Sequence, residues 1–212
     1  MNVFTQSDYA VISLPSFADR SERIRYVSSM RAQEDQMFAD ACNLTRHDLR
    51  LEEPPVLGIL PFDLSHIQFE VDHLNTIMIE GIASLHQSQA LSKPALYCPI
   101  GIGGHRNHVS VLAAVVGALP RLQELYEVFF YEDLHYASDL NFRNAGLQRL
   151  SGMLKGRQLE RRALVLPPQL FARKMGLVNI YFSQHGGKLR SYDFIPATFR
   201  MREEHEAVWA LI

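Results

Sequence analysis

The sequence lacks most of the features that announce a function at once. Its 212 residues hold two cysteines, Cys42 and Cys98, too few for a disulfide framework and not in a C-x-x-C relation, which leans toward a reducing compartment. Each reads as a small buried hydrophobe. No charge of one sign dominates: Lys+Arg 21 against Asp+Glu 23 gives a net charge of -2, which excludes a global attraction for nucleic acid or an anionic membrane. The densest basic group, Arg157, Arg161 and Arg162, is interrupted by Glu160 and reads as a solvated rim. No apolar run approaches the roughly 20 residues that span a bilayer. The opening stretch from Met1 to Asp8 has neither a basic region nor a long apolar one, so a signal peptide is not expected and a cytoplasmic location is. Repeats and flexible linkers are also missing, and one α/β domain over 1–212 is the expectation.

The residues that are present follow clear periods. Ile24, Val27, Met30, Met37, Phe38 and Ala41 recur at helical spacing within 21–43, and Ile67, Val71, Leu74, Ile77, Met78, Ile82 and Leu85 do so within 64–86. A strand, loop and helix follow: Ala95 to Pro99, then Gly101-Ile102-Gly103-Gly104, then 107–119 with its apolar stripe of Val109, Leu112, Val115, Val116 and Leu119. Val128 to Tyr131 and Ala163 to Leu166 read as further buried strands, with a weak one at Val3-Phe4. Pro167-Pro168 halts the last of them before a helix over 169–181, and 140–162 reads as a loop. Short apolar strands separated by helices predict a three-layer α/β fold with a mostly parallel sheet.

In such a sheet ligands bind beyond the carboxyl ends of the strands. Two stretches fall there, Gly103-Gly104-His105-Arg106-Asn107-His108 and Glu132-Asp133-Leu134-His135-Tyr136. If a helix begins near His105, then His105 and His108 share one face. Imidazoles so placed can serve one small site, one as metal ligand and the other as proton donor or oxyanion partner. Glu132 or Asp133 could add a carboxylate, or could simply bind backbone N–H groups. The glycine run is neither G-x-G-x-x-G nor a P-loop, so nucleotide binding is not expected.

The stretch from Tyr97 to His108 resembles the P-L-G-x-G-G-H-x-D-H segment of the GlcNAc-PI de-N-acetylase (PIG-L/LmbE-like) family. In order after it, Phe130 to Ala137 looks like the family's Y-E-D-L-P-Y-A, Lys174 through Gln184 like its K…Y-x-S-Q, and Glu203 through Trp209 like its closing E…W. Phe4 to Ala10 and Arg31 to Asp35 are similar to the family's second strand and the helix after it, so the resemblance covers nearly the whole chain.

The resemblance implies a Rossmann-like α/β fold and a zinc-dependent N-deacetylase acting on an N-acylated amino sugar or a related small polar metabolite. By it, His108 matches a metal ligand and His105 the histidine that stabilises the oxyanion or acts as acid, with Gly103, Gly104, Arg106, Asn107, Glu132, Asp133, His135 and Tyr136 lining the site. Asn107 stands where many members have Asp, which removes a fixed negative charge beside the imidazoles. The family's H-x-D-D, which supplies two metal ligands and the base, has no counterpart, because no two aspartates are adjacent. On this reading the family's first strand, loop and helix lie outside the chain. A homo-oligomer or a partner subunit could then cover the gap, and a catalytically inactive member that binds a small polar ligand or a protein is the alternative to the zinc enzyme.

Overall fold

A computed structural model describes residues 1–88, 93–198 and 203–212. The chain gathers into two compact units, one of Met1–Pro61 with Pro167–Ser191 and the other of Phe62–Leu166 with Tyr192–Ile212.

In the first unit, strand β1 (Asn2–Gln6) and strand β2 (Asp48–Glu52) pair in parallel, and helix α1 (Arg20–Cys42) connects them. The Asp19 carboxylate accepts the backbone N–H of Glu22 at 2.9 Å and so starts α1. Val27 and Ala39 are buried on its inner face, and Glu34 with them. Helix α7 (Pro168–Ile180) begins at the proline pair, where the missing N–H groups cost nothing, and packs on α1.

Polar contacts join the rest of this unit. Ser183 donates to Glu34 through both its N–H, at 2.8 Å, and its hydroxyl, at 2.6 Å. Arg31 reaches Ser7, Glu53 and Gln184 at 2.6, 2.7 and 3.1 Å. The Tyr-x-Ser-Gln stretch at 181–184 is therefore tied to α1 by structural bonds.

In the second unit four strands lie in the order β3-β4-β6-β5. Strands β3 (Ala95–Pro99) and β4 (Glu127–Tyr131) are parallel and in continuous register from Ala95 opposite Glu127 to Pro99 opposite Tyr131. The long crossover that a parallel pair requires is supplied by helices α4 (Arg106–Gly117) and α5 (Leu119–Leu125). Val109, Leu112 and Val115 of α4, Leu119 and Leu122 of α5, and Cys98, Val128 and Phe130 of the strands are all buried. Burying each of the larger side chains contributes about 1.5–3 kcal/mol. Strand β6 (His205–Leu211) runs antiparallel to both β4 and β5 (Leu159–Val165). No helix among the described residues is long and apolar enough to cross a membrane.

The α/β fold and the strands expected near Val3, Ala95, Val128 and Ala163 are present, with three differences. First, β5 begins earlier than its apolar run and is largely exposed, and β6, which lies between β4 and β5 and runs antiparallel to both, makes the sheet of the second unit mixed. Second, 140–162 is not a loop: helix α6 (Leu140–Met153) occupies much of it, with Asp139 accepting the N–H groups of Asn141 and Phe142 at 2.8 and 3.1 Å. Its buried residues are Arg143, Gly146 and Leu150, too few apolar positions to leave a helical period in the sequence. Third, the expected helix over 64–86 is broken into α2 (Ile67–Leu74), a π-helical turn (Asn75–Ile79) and α3 (Glu80–Ser88). The wider turn places the consecutive residues Met78 and Ile79 both in the core.

Just past β4, Glu132 is buried and accepts four hydrogen bonds from three side chains. Arg143 of α6 donates two parallel bonds of 2.7 Å, Arg161 of β5 one of 3.2 Å, and the Trp209 indole N–H of β6 one of 3.0 Å. Arg161 also donates to Nε2 of the fully buried His205 at 2.9 Å. Arg161 is thus no member of a solvated rim, whereas Arg162 is half-exposed and pairs with Glu160.

Burial alone would raise the Glu132 carboxyl, but the Arg143 bonds and charge, with Trp209 and Arg161, outweigh it and hold the group below its ordinary value of 4.5. A depressed carboxylate adds stability above the unfolded-state value and loses it as pH falls through the folded one. Glu132→Ala is expected to cost about 3–5 kcal/mol, because it leaves two guanidinium groups uncompensated. Urea unfolding at pH 7 measures this, and the deficit should shrink as pH falls below 4.5; equal stability of the two proteins at pH 7 would show that the network carries no such weight.

Candidate functional site

The site candidates lie beyond the carboxyl ends of β3 and β4 in the second unit. After β3 the chain turns through Gly101, at φ +73°, and Gly103, at φ +90°, conformations that favour glycine. Gly103 is also required by space, since a Cβ there would stand 2.5 Å from Cγ of Tyr136. The Tyr136 ring therefore lies directly on the loop backbone. Ile102 between these glycines is fully buried, and its contact with Gly146 leaves no room for a side chain on α6 at that point. Arg149 of α6 donates to the Gly101 carbonyl at 2.9 Å.

The two histidines enter on the first turn of α4, and each has a separate partner. His108 Nδ1 lies 2.7 Å from Oδ1 of Asp133, whose other oxygen accepts the Ile102 N–H at 3.0 Å. The Asp133 side chain is 2% exposed and that of His108 40%. A carboxylate only accepts, so neutral His108 carries its proton on Nδ1 and keeps its lone pair on Nε2. His105 Nε2 lies 2.7 Å from the Tyr136 hydroxyl, and the Phe62 ring lies over its imidazole with centroids 4.4 Å apart. The two imidazoles are 6.2 Å apart between centroids.

Burial lowers the His105 pKa to about 4, assisted by the charges that His108 and His135 can carry and opposed by Asp133. His105 is therefore neutral at pH 7, with one nitrogen as donor and the other as acceptor.

The other expected site residues are divided. Tyr136 joins His105, and the His135 ring lies tilted against Tyr136 with centroids 4.3 Å apart. Gly104 leaves open space on its Cβ side out to 3.8 Å, where Arg149 begins. Arg106 turns away from the histidines: it is buried and pairs with Glu70 at 2.7 Å while donating to the carbonyls of Asp63 and Ser65. Asn107 accepts the N–H of His108 at 3.0 Å, so it orders the first turn and leaves the support of the imidazole to Asp133. Glu132 belongs to the ion network described above. Burial and then the Asp133 charge keep the Cys98 thiol far above its usual range, which rules it out as a nucleophile. Phe62 and Arg149 escaped the sequence reading, since neither belongs to a motif and only the fold brings them to the loop.

No protein-family model matches the chain, and no curated protein matches it in sequence. Solved structures do. The A40926 pseudoaglycone deacetylase Dbv21 superposes with a TM-score of 0.64 at 15% identity over 99% of this chain and 83% of its own. The zinc-inhibited form of the teicoplanin deacetylase Orf2 gives 0.62 at 16% identity over 99% and 85%. A deacetylase–bog complex from teicoplanin biosynthesis gives 0.61 at 15% identity over 88% and 73%. The chain has the fold of these deacetylases. The family resemblance carried by the sequence motifs and the deacetylase fold agree with each other; identities this low establish the fold and leave each residue's role to its own geometry.

The residues present can be tested against the zinc that the resemblance implies. A catalytic zinc takes three protein ligands and keeps a fourth position open. His108 offers Nε2, but among the described residues no group of three or more His, Cys, Asp or Glu is placed to hold a metal ion. This set does not make up a zinc site of the deacetylase fold.

Two measurements test the geometry. The His105 imidazole should titrate near pH 4 when followed by NMR, and its contribution to stability should be complete above the ordinary histidine value of 6.5 and decline as pH falls from there toward 4; titration near 6.5 would contradict the burial described. Gly103→Ala should displace Tyr136 and cost about 1–3 kcal/mol in thermal unfolding.

Proposed function

We propose that the chain is a deacetylase-like hydrolase whose His105 and His108 engage the amide of an N-acylated amino sugar or a related small polar metabolite. The single observation that carries this reading is the division of labour on the first turn of α4. One imidazole is oriented by a buried carboxylate at 2.7 Å and the other by a phenol at 2.7 Å, inside a fold shared with deacetylases.

His108 Nε2 is placed to accept a proton from water, and the Asp133 carboxylate stabilises the imidazolium that results. The water oxygen then bonds to the amide carbon. The oxyanion takes a hydrogen bond from the His105–Tyr136 pair, which keeps one proton to donate whichever of the two atoms donates within the pair. Breaking the C–N bond sends the proton from His108 Nε2 to the leaving amine, and acid and amine are the products. No step of this proposal passes through zinc, because the Nε2 lone pair of His108 that takes the proton is the one a metal would need.

A second reading, a protein that binds such an amide without cleaving it, is favoured by the want of a three-ligand cluster among the described residues. Acetate release from N-acetylglucosamine, measured for the chain with and without added zinc, separates the two. The hydrolase reading expects turnover that falls about 10²- to 10⁴-fold in His108→Ala and in Asp133→Asn, with circular dichroism unchanged. Binding by calorimetry with no acetate released under either condition would overturn it in favour of the second.

A further inference from the structure

We propose that Phe62 is the specificity-determining residue of the site, and that its ring receives an apolar acyl chain longer than acetyl. The inference rests on the amide-binding reading above. Phe62 is 59% exposed although its ring lies 4.4 Å from that of His105, so it fills no core. It gives the site an apolar wall beside the histidine assigned to the carbonyl oxygen. His105, which the ring contacts, and the other groups named at the site, His108, Tyr136 and Arg149, carry polar atoms, whereas the Phe62 ring has none and so favours a ligand group made of CH₂. The acyl chain starts one bond from the carbonyl carbon and is the part of such a substrate whose surface is C–H throughout, with no hydroxyl left unpaired against the ring.

The second observation is how the 62–65 segment is held. Arg106 is 4% exposed and spends two bonds on backbone carbonyls of that segment, to Asp63 and to Ser65, the latter at 2.8 Å. Its charge is balanced by Glu70 at 2.7 Å, and Glu70 is held in turn by the Ser110 hydroxyl. Committing a buried ion pair to the carbonyls that follow an exposed aromatic residue holds the backbone that carries the ring before a ligand arrives, which lowers the ordering cost of binding. Arg106 is in this sense a positioning residue. It carries the α4 turn that presents the histidines and the segment that presents Phe62 on one rigid frame.

Calorimetric titration of the full chain with glucosamine and its N-acetyl, N-butanoyl and N-hexanoyl derivatives tests this. Wild-type affinity should rise about threefold per added methylene. Phe62→Ala should flatten that dependence, Phe62→Leu should largely restore it, and Phe69→Ala, which removes a ring 79% exposed on α2, should leave it unchanged. Because Phe62 is exposed, these variants should fold. An unchanged slope in Phe62→Ala, a flat slope in the wild type, or no binding of any derivative would overturn the proposal. The readout needs no turnover. Absence of hydrolysis alongside a lost slope in Phe62→Ala would sink the hydrolase reading and leave the role of Phe62 standing, whereas hydrolysis with an unchanged slope would do the reverse.

Discussion

The buried carboxylate of Glu132 is the interaction on which the second unit depends. It sits just past the end of β4 and takes bonds from α6, β5 and β6 at once, through Arg143, Arg161 and Trp209. Sheet pairing by itself fixes strands relative to one another but leaves open where a helix sits against them. A bidentate guanidinium–carboxylate pair has one geometry, so it sets α6 against the strand end. Desolvating these charges is costly, and the cost is met only because nearly every acceptor direction on Glu132 is used. The antiparallel return of β6 is part of the same arrangement, since it brings both Trp209 and His205 to this carboxylate and its arginine.

The next residue turns that placement into a site. Asp133 is as buried as Glu132, yet its oxygens go to the Ile102 N–H and the His108 imidazole. Successive side chains at a strand end leave on opposite sides. Two adjacent carboxylates are thereby separated into a structural one facing α6 and an orienting one facing the loop after β3. Gly146 continues the coupling, because its missing side chain admits Ile102, the residue whose N–H holds Asp133. Position is thus passed from the ion network to the helix, from the helix to the loop, and from the loop to the histidine.

What the sequence disclosed follows the range of the interactions involved. The pairing of His105 with His108 is a local matter of helical spacing and was legible, as were β3, β4 and the glycine turn, whose signals lie within a few residues. The fates of Glu132 and Asp133 were not legible, because the two share a residue type and a neighbourhood in sequence and differ only in partners far along the chain. Arg161 had the composition of a surface cluster and was drawn inward by Glu132 and His205. Helix α6 was hidden because its packing surface is made of an arginine, a glycine and one leucine, so that its place is decided by an ion pair, with little hydrophobic period to read. Arg106 stood in the motif beside the histidines and suggested a lining role; its burial against Glu70 reassigns it to the frame.

The division between frame and wall bears on how such a site can change. His108 is held by Asp133, and Asp133 by the loop that α6 supports, so the position of the histidine is set by the buried packing of the unit. Phe62 is held through its own backbone segment, and its ring, 59% exposed, lies against that of His105. A substitution there comes at small cost in stability, since exposed positions shift stability by about 0.5 kcal/mol or less. The histidine pair and Phe62 therefore answer to different constraints, the first to the buried charges of the fold and the second, on the reading proposed above, to the chemistry of the ligand.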